Sequence, residues 1–324
     1  MQSRLIPLLN ECYIQAVKGL RAPQRLAALL AAVFAASTAL AITPLRLAAL
    51  VLIGRSPHCP LRQAVRAESH ARRLMDAKDR ILAASRLLEK DPGGFHLWQT
   101  PYGPFWIPAG ADWGLPFNLA EQELKIYGTA EHAVRAGDIV LDCGANVGVY
   151  TREALRAGAR LVVAIEPAPE NLECLRRNLR AETASGRAII YPKGVWDAES
   201  TMKIRLVPHN PAADTLVLHP PGSKEGGVVA LTTIDKLVEE LRLPRVDFIK
   251  MDIEGAEQHA LRGARQTLAR FKPRLAISSY HRPDDPEKIP ELVQRARADY
   301  IQACGPCSYV AETGIVRPDV LYFW

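Results

Sequence analysis

The residues of this chain best placed to do chemistry stand just beyond short apolar runs. Asp142 follows Ile139 to Leu141, Asp252 and Glu254 follow the run from Val246 to Met251, and His281 follows a run that begins at Leu275. A carboxylate or an imidazole beside an alcohol can take its proton as it becomes acidic, and imidazole does so near neutral pH without a large pKa shift. A second group of residues suits binding. Gly144-Ala145-Asn146-Val147-Gly148 is a tight, small-residue turn after Asp142. Glycine there admits positive φ and lets a ligand approach the backbone. Glu166 lies about 20 residues further on, where an acid can accept hydrogen bonds from both ribose hydroxyls of an adenosine.

Spacing separates the ligands that share these features. A dinucleotide site needs G-x-G-x-x-G to seat a pyrophosphate on a helix N-terminus, and this turn lacks it. The acid before the turn is also awkward for a diphosphate. Asp142 fits a ligand bearing an ammonium group, as the methionine part of S-adenosylmethionine does. A nicotinamide dehydrogenase is therefore disfavoured. Asp252 and Glu254 could bind a divalent metal, but there are too few further ligands to assert one. Lys250, mid-strand, reads as structural, and His209 and His219 as exposed loop residues. Cys304-Gly305-Pro306-Cys307 has redox-dithiol spacing, but it lies near the C-terminus and has no second pair to make zinc plausible. Six cysteines in 324 residues do not make a disulfide framework.

The elements that must position these residues alternate. Strands are expected at 139–142, 161–166, 188–192, 246–252 and 274–279, with a last one at 319–324. Helices are expected near 147–157, 169–183, 232–242, 257–271 and 286–298, and an earlier one over 118–135 with Asn118 as its cap. This is the pattern of an α/β fold: a parallel sheet with helices on both faces, which binds ligands beyond the carboxyl ends of its strands. Aromatic, turn-rich residues 95–108 read as a small hairpin. The stretch 201–231 reads as a hairpin that could cover a site.

The runs Asp142-Cys143-Gly144-Ala145-Asn146-Val147-Gly148, Glu166-Pro167 with Asn171, Ile249 to Glu257, and Leu275 to Pro283 resemble the FkbM-type S-adenosylmethionine-dependent methyltransferases. The resemblance extends from about Tyr102 to Trp324, with Cys143 standing where the family usually has valine. It implies a class I methyltransferase (Rossmann-like) sheet of seven strands, the last two an antiparallel pair. It also implies O-methylation of a sugar, glycolipid or polyketide hydroxyl. Asp142, Gly144, Asn146 and Gly148 would line the methionine and ribose end of the cofactor. Glu166 would hold the ribose, and Val195, Trp196 and Asp197 would flank the adenine, with Trp196 able to stack on it. Asp252, Glu254 and His281 are then the candidate bases. The rival reading is a membrane-associated assembly or interaction subunit that keeps the domain as a scaffold.

Residues 1–94 lie outside that domain, which is assigned 95–324. Residues 61–94 read as a charged helix and a linker ending at Asp91-Pro92-Gly93-Gly94. Residues 1–60 are apolar and helical, with no charge from Leu26 to Leu45, about the length a membrane span needs. Residues 26–54 could anchor the chain to the inner face of a membrane, pack as a soluble helical pair or homodimer contact, or pass for a secretory signal. An anchor would favour a lipid-linked acceptor or a membrane-protein partner, with the catalytic domain in the cytoplasm. The net charge of +6 has no aromatic-interleaved basic tract, so nucleic acid is not an expected partner.

Overall fold

A computed structural model describes Leu30 and residues 43–128, 132–208 and 210–324. The described residues fall into two compact units: those up to 68 with 307–317, and those from 69 to 306 with 318–324.

In the larger unit, seven strands form one sheet among the described residues. In chain order they are β1 (Ile139–Cys143), β2 (Leu161–Ile165), β3 (Ala188–Tyr191), β4 (Phe248–Met251), β5 (Arg274–Ser278), β6 (Gln302–Cys304) and β7 (Val320–Phe323). Their order across the sheet is β6-β7-β5-β4-β1-β2-β3. The pairs from β5 to β3 are parallel, and β7 runs antiparallel to both β5 and β6. This is the doubly wound sheet with an antiparallel final pair expected of a class I methyltransferase. Apart from Asp142 and Lys250 the central strands are apolar, because both faces are covered. Ile139, Leu141, Cys143, Ile249, Met251 and Ile277 bury one face. Val140, Val162, Phe248, Ala276 and Tyr322 bury the other. Register sets Asp142 beside Lys250 on neighbouring strands, so both charged side chains share the second face.

Several boundaries differ from the sequence expectation. The charged helix ends at Ala83, and Arg86–Asp91 is a strand paired antiparallel with Phe95–Thr100. Asp91-Pro92-Gly93-Gly94 is therefore a hairpin turn, its Asp91 carboxylate accepting from Gly93 N–H, instead of a linker. The helix placed at 118–135 spans Gly114–Glu123. Pro116 falls in its first turn, where a missing N–H costs nothing, and Lys125 (φ 53°) turns the chain out of it. Asn118 is thus inside the helix and caps nothing. The helix expected at 257–271 breaks into Glu257–Arg262 and Arg265–Phe271. Gly263 lies between them because a Cβ there would stand 2.1 Å from Trp196 O.

Asn178 ties the Gly103–Pro108 strand to the glycine turn. It accepts from Trp106 N and donates to the carbonyls of Trp106 and Val147. Strands Ser200–Leu206 and Lys224–Thr232 make the expected hairpin, and His219 is exposed. His209 lies outside the described residues.

In the smaller unit, helices Thr43–Leu52 and Leu61–Ala64 accompany strands Cys307–Val310 and Ile315–Pro318. A Cys59–Cys307 disulfide joins the two chain segments. Cys307 of the CxxC sequence is thus bonded to a distant cysteine, a pairing that spacing could not supply. Among the described residues no helix is long and apolar enough to cross a membrane. Of the apolar run, residues 26–29 and 31–42 lie outside the described residues, so the anchor expectation rests on them.

Candidate active site

Two adjoining cavities open beyond the carboxyl ends of β1, β2 and β4. The larger, about 280 Å³, is lined by Gly144, Asn146, Lys250, Asp252, Glu254, Tyr127 and residues of helix Gly114–Glu123. The smaller, about 50 Å³, is lined by Glu166, Asn171, Val195, Asp214 and the segment Pro211–Ala212. Gly144, Asn146, Asp252 and Glu254 belong to both walls.

The turn that forms the shared wall is held from three sides. Gly144 and Ala145 N–H both donate to Ile165 O at 3.0 Å. Asn146 N–H donates to Glu166 Oε2 at 2.9 Å, and Ala168 N–H to Oε1 at 2.8 Å. Lys250 Nζ donates to Gly144 O at 2.9 Å. Gly144 has φ 79°, and a Cβ there would stand 1.9 Å from Asp252 O, so only glycine lets the first and fourth loops touch. Burial pushes the Glu166 carboxyl up to about 6, the two backbone N–H groups opposing the rise. Asn171 Oδ1 is buried with no hydrogen-bond partner on the wall of the smaller cavity. An acceptor left open there fits a ligand that brings its own hydroxyl or amino donors.

Not every expected binding residue stands in these walls. Asp142 is fully buried below them, accepting from Thr151 Oγ1 at 2.6 Å and lying 3.4 Å from Lys250 Nζ. It is the counter-charge of a buried lysine and does not reach the cavity itself. Gly148 begins helix Val149–Arg156 at φ 92° and packs on Leu175 and Leu179, away from both cavities. Val195 lines the smaller cavity, but Trp196 and Asp197 do not. Trp196 stacks on His259 at 3.7 Å, and Asp197 accepts from the same ring at 2.6 Å and pairs with Arg262. Helix Glu257–Arg262 thus takes the two residues expected at the adenine.

The fourth and fifth loops bring Asp252, Glu254 and His281 together as the sequence suggested, but with a different electrostatic result. His281 Nε2 faces Asp252 Oδ1 at 3.5 Å and Glu254 Oε2 at 3.4 Å, while Nδ1 is 2.9 Å from Glu257 Oε1. Burial alone would lower the imidazole pKa, but Glu257 and Glu254 outweigh it and hold it well above its ordinary value. With no other cation at this point the carboxylates favour a proton on Nε2, which opposes the base role expected for His281. Burial pushes Asp252 up, but Lys250 and His281 outweigh it and keep its carboxyl below the usual range; Tyr127 OH donates to its Oδ2 at 2.7 Å. Burial raises Glu254 despite the facing imidazole.

A model of the methyltransferase FkbM domain matches residues 142–305, half of the chain. The chain belongs to this family. The hexuronic acid methyltransferase AglP of Haloferax volcanii is 26% identical over 160 residues, covering 49% of this chain and 63% of AglP. Methyltransferase 1 of Beauveria bassiana is 26% identical over 143 residues, covering 38% of this chain and 57% of that protein. The chain therefore spans less than two thirds of the length of either relative. A crystal structure of methyltransferase FkbM from Methylobacillus flagellatus KT is 20% identical, covering 85% of this chain and 65% of its own, with TM-score 0.43.

The FkbM match begins at the end of β1 and so leaves out the wall formed by helix Gly114–Glu123. That wall is where sequence reasoning missed most. Trp113 and Phe117 stack at 4.9 Å at the mouth of the larger cavity, with Asn118, Glu121 and Gln122 along its side. Burial, with Asp252 next, raises the Glu121 pKa well above its ordinary value. Sequence reasoning also gives no role to Tyr127, Asp214 and Glu257, and reads Lys250 as structural. The signal for Lys250 was present: a lysine in an apolar strand needs a counter-charge, and Asp142 ends the strand next to it.

Proposed function

We propose that this FkbM methyltransferase uses S-adenosylmethionine and methylates a hydroxyl oxygen of a sugar-like acceptor. One observation supports the reading above the rest: Asp252 and Glu254 form a carboxylate wall common to a nucleoside-type cavity and an acceptor-type cavity. Glu166 and Asn171 supply acceptors for ribose hydroxyls and amino groups on one side. On the other, Trp113 offers an apolar face of the kind that sugar C–H groups pack on, with Asn118 and Gln122 as amide hydrogen-bond partners. AglP, named for hexuronic acid methylation, supports an acceptor of this class.

S-Adenosylmethionine, when bound, supplies an electrophilic methyl group, which passes to the acceptor oxygen while the sulfur keeps the bonding electron pair. The chain's own work is to hold and to deprotonate. The glycine turn fixes Asn146 against Glu166, and Lys250 fixes the turn. Small-molecule sites usually exceed ~300 Å³, so a nucleoside would need more room than the smaller cavity's 50 Å³ and would extend along the shared wall. Glu254, which burial raises above its ordinary value, lines both cavities and is placed to accept the hydroxyl proton. Asp252, held ionised, stabilises the positive charge between them. General-base catalysis contributes ~10²–10⁴-fold.

Calorimetric titration with S-adenosylmethionine tests the cofactor, and methyl transfer from labelled cofactor to a panel of hexuronic acids and neutral sugars tests the acceptor. Binding lost in Glu166→Ala, together with turnover on a sugar that Glu254→Gln lowers at least a hundredfold, is the expected result. Absence of cofactor binding by the wild type would overturn the proposal.

A further inference from the structure

Asp252, Glu254 and His281 converge on one point, and three features of that point go beyond an acidic cluster. The His281 side chain is 3% exposed, yet its Nε2 has no partner within hydrogen-bonding geometry. Asp252 Oδ1, which it faces, is also buried and unpartnered. The Nε2, one Asp252 oxygen and one Glu254 oxygen all lie within 4.8 Å of one another, with the nitrogen 3.5 and 3.4 Å from the two oxygens. These spacings are long for hydrogen bonds. They are the ligand-to-ligand edges of an ion with bonds of ~2.1–2.2 Å, which range from ~3.0 Å at right angles to ~3.5 Å at tetrahedral angles.

We propose that Asp252, Glu254 and His281 bind one divalent cation, of the Mn²⁺ type, at the wall shared by the two cavities. The donor set selects the class. Two carboxylate oxygens favour a hard ion, and one imidazole nitrogen shifts the preference from Mg²⁺ and Ca²⁺ toward a first-row transition ion. Three protein ligands leave positions open, as a site that also receives a substrate oxygen requires. The rest of the pocket is arranged for the same purpose. Glu257 is fully buried, and its Oε1 accepts both His281 Nδ1 and Ile253 N–H at 2.9 Å, so it aims Nε2 at the site from behind. Tyr127 OH occupies Asp252 Oδ2 and leaves Oδ1 turned to the ion. Glu254 takes φ 53°, a left-handed conformation uncommon outside glycine. A dication bound there displaces the proton that these carboxylates otherwise favour on Nε2 and takes its place as their counter-charge.

The site stands whether or not the methyl acceptor is a sugar. Its role in transfer, positioning the acceptor oxygen between the cavities, rests on the function proposed above. Titration of the metal-free full-length chain with MnCl₂, followed by electron paramagnetic resonance of the free ion, reads the site directly. One Mn²⁺ per chain is expected at micromolar ion. His281→Gln should weaken it at least tenfold while retaining S-adenosylmethionine binding by calorimetry, which shows that the variant is folded. Glu257→Gln leaves all three ligands in place and should weaken binding 10–100-fold through loss of their support. A wild-type chain that binds S-adenosylmethionine but takes up no Mn²⁺ below 1 mM, or a His281→Gln variant that holds Mn²⁺ as tightly as wild type, overturns the site. Mn²⁺ uptake without S-adenosylmethionine binding would leave the site standing and remove the methyltransferase reading.

Discussion

Gly144→Ala should damage cofactor binding far more than an equal strain elsewhere. Two effects add at this position. The φ of 79° costs a Cβ-bearing residue ~1–2 kcal/mol. The new methyl would also stand 1.9 Å from Asp252 O and 3.1 Å from Ile253 Cγ2. Reaching even the 3.0 Å floor of real Cβ contacts means moving the Asp252 carbonyl by about 1.1 Å. That carbonyl is not free, because Asp252 N–H is bonded to Cys143 O at 3.1 Å. Overpacking of this kind costs ~1–3 kcal/mol, for a total of ~2–5 kcal/mol. At ~2 °C per kcal/mol for a chain of this size, the melting temperature falls by ~4–10 °C. Parting the two loops also breaks the Lys250 bond to Gly144 O and tilts Asn146 from Glu166. Two lost hydrogen bonds at ~0.5–1.5 kcal/mol each weaken S-adenosylmethionine binding ~5–150-fold. Gly148→Ala is the matched control. Its φ is 92°, but the nearest atom to a new Cβ is the flexible Leu175 Cδ1 at 2.9 Å, and it borders neither cavity. It should lose stability and keep affinity within about threefold. Scanning fluorimetry and calorimetry read both variants. Wild-type affinity in Gly144→Ala, or equal affinity losses in the two variants, would refute the loop-contact argument.

Other consequences follow from single contacts. Because burial raises Glu166 to about 6, its carboxylate is ionised above that pH and protonated below it. Cofactor affinity should therefore fall as pH drops through about 6, and Glu166→Gln should remove that dependence in calorimetry run from pH 5 to 8. Lys250→Met leaves Asp142 fully buried without its counter-charge and should cost ~3–5 kcal/mol in urea unfolding; adding Asp142→Asn should recover part of it, and a neutral single variant would contradict the pairing. Trp113→Ala should raise KM for a sugar acceptor while leaving cofactor affinity unchanged; an equal loss in both would separate this residue from the acceptor side. A peptide map without reductant should recover the Cys59 and Cys307 peptides as one cross-linked mass, and two alkylated peptides instead would rule the bond out.

The sheet was legible because buried parallel strands write themselves as mostly apolar runs, and the loops after several of them carry residues that line the cavities. Glu166, Asn146, Asp252 and Glu254 could be placed from that rule. What failed to show was whatever depends on a neighbour distant in sequence. Asp142 looks like a ligand-binding acid until the register of β1 on β4 sets Lys250 beside it. His281 looks like a base until Glu257 arrives behind it from a helix 24 residues away. Trp196 looks like an adenine platform until the Gly263 break lets helix Glu257–Arg262 put His259 under it. The outer wall of the larger cavity was hidden for another reason. It comes from helix Gly114–Glu123, upstream of the alternating pattern, and Pro116 disguised where that helix begins.

The Cys59–Cys307 bond closes the chain into a covalent ring across 248 positions, and every residue of both cavities lies on that ring. A peptide bond cut anywhere between the two cysteines opens the ring without dividing the molecule. Such nicked protein would run as one band until reduced and then fall into two fragments. A cut before Cys59 releases a piece at once. Intact size on a non-reducing gel thus gives no assurance that the catalytic segment is whole, and a reducing lane beside it shows where the ring was opened.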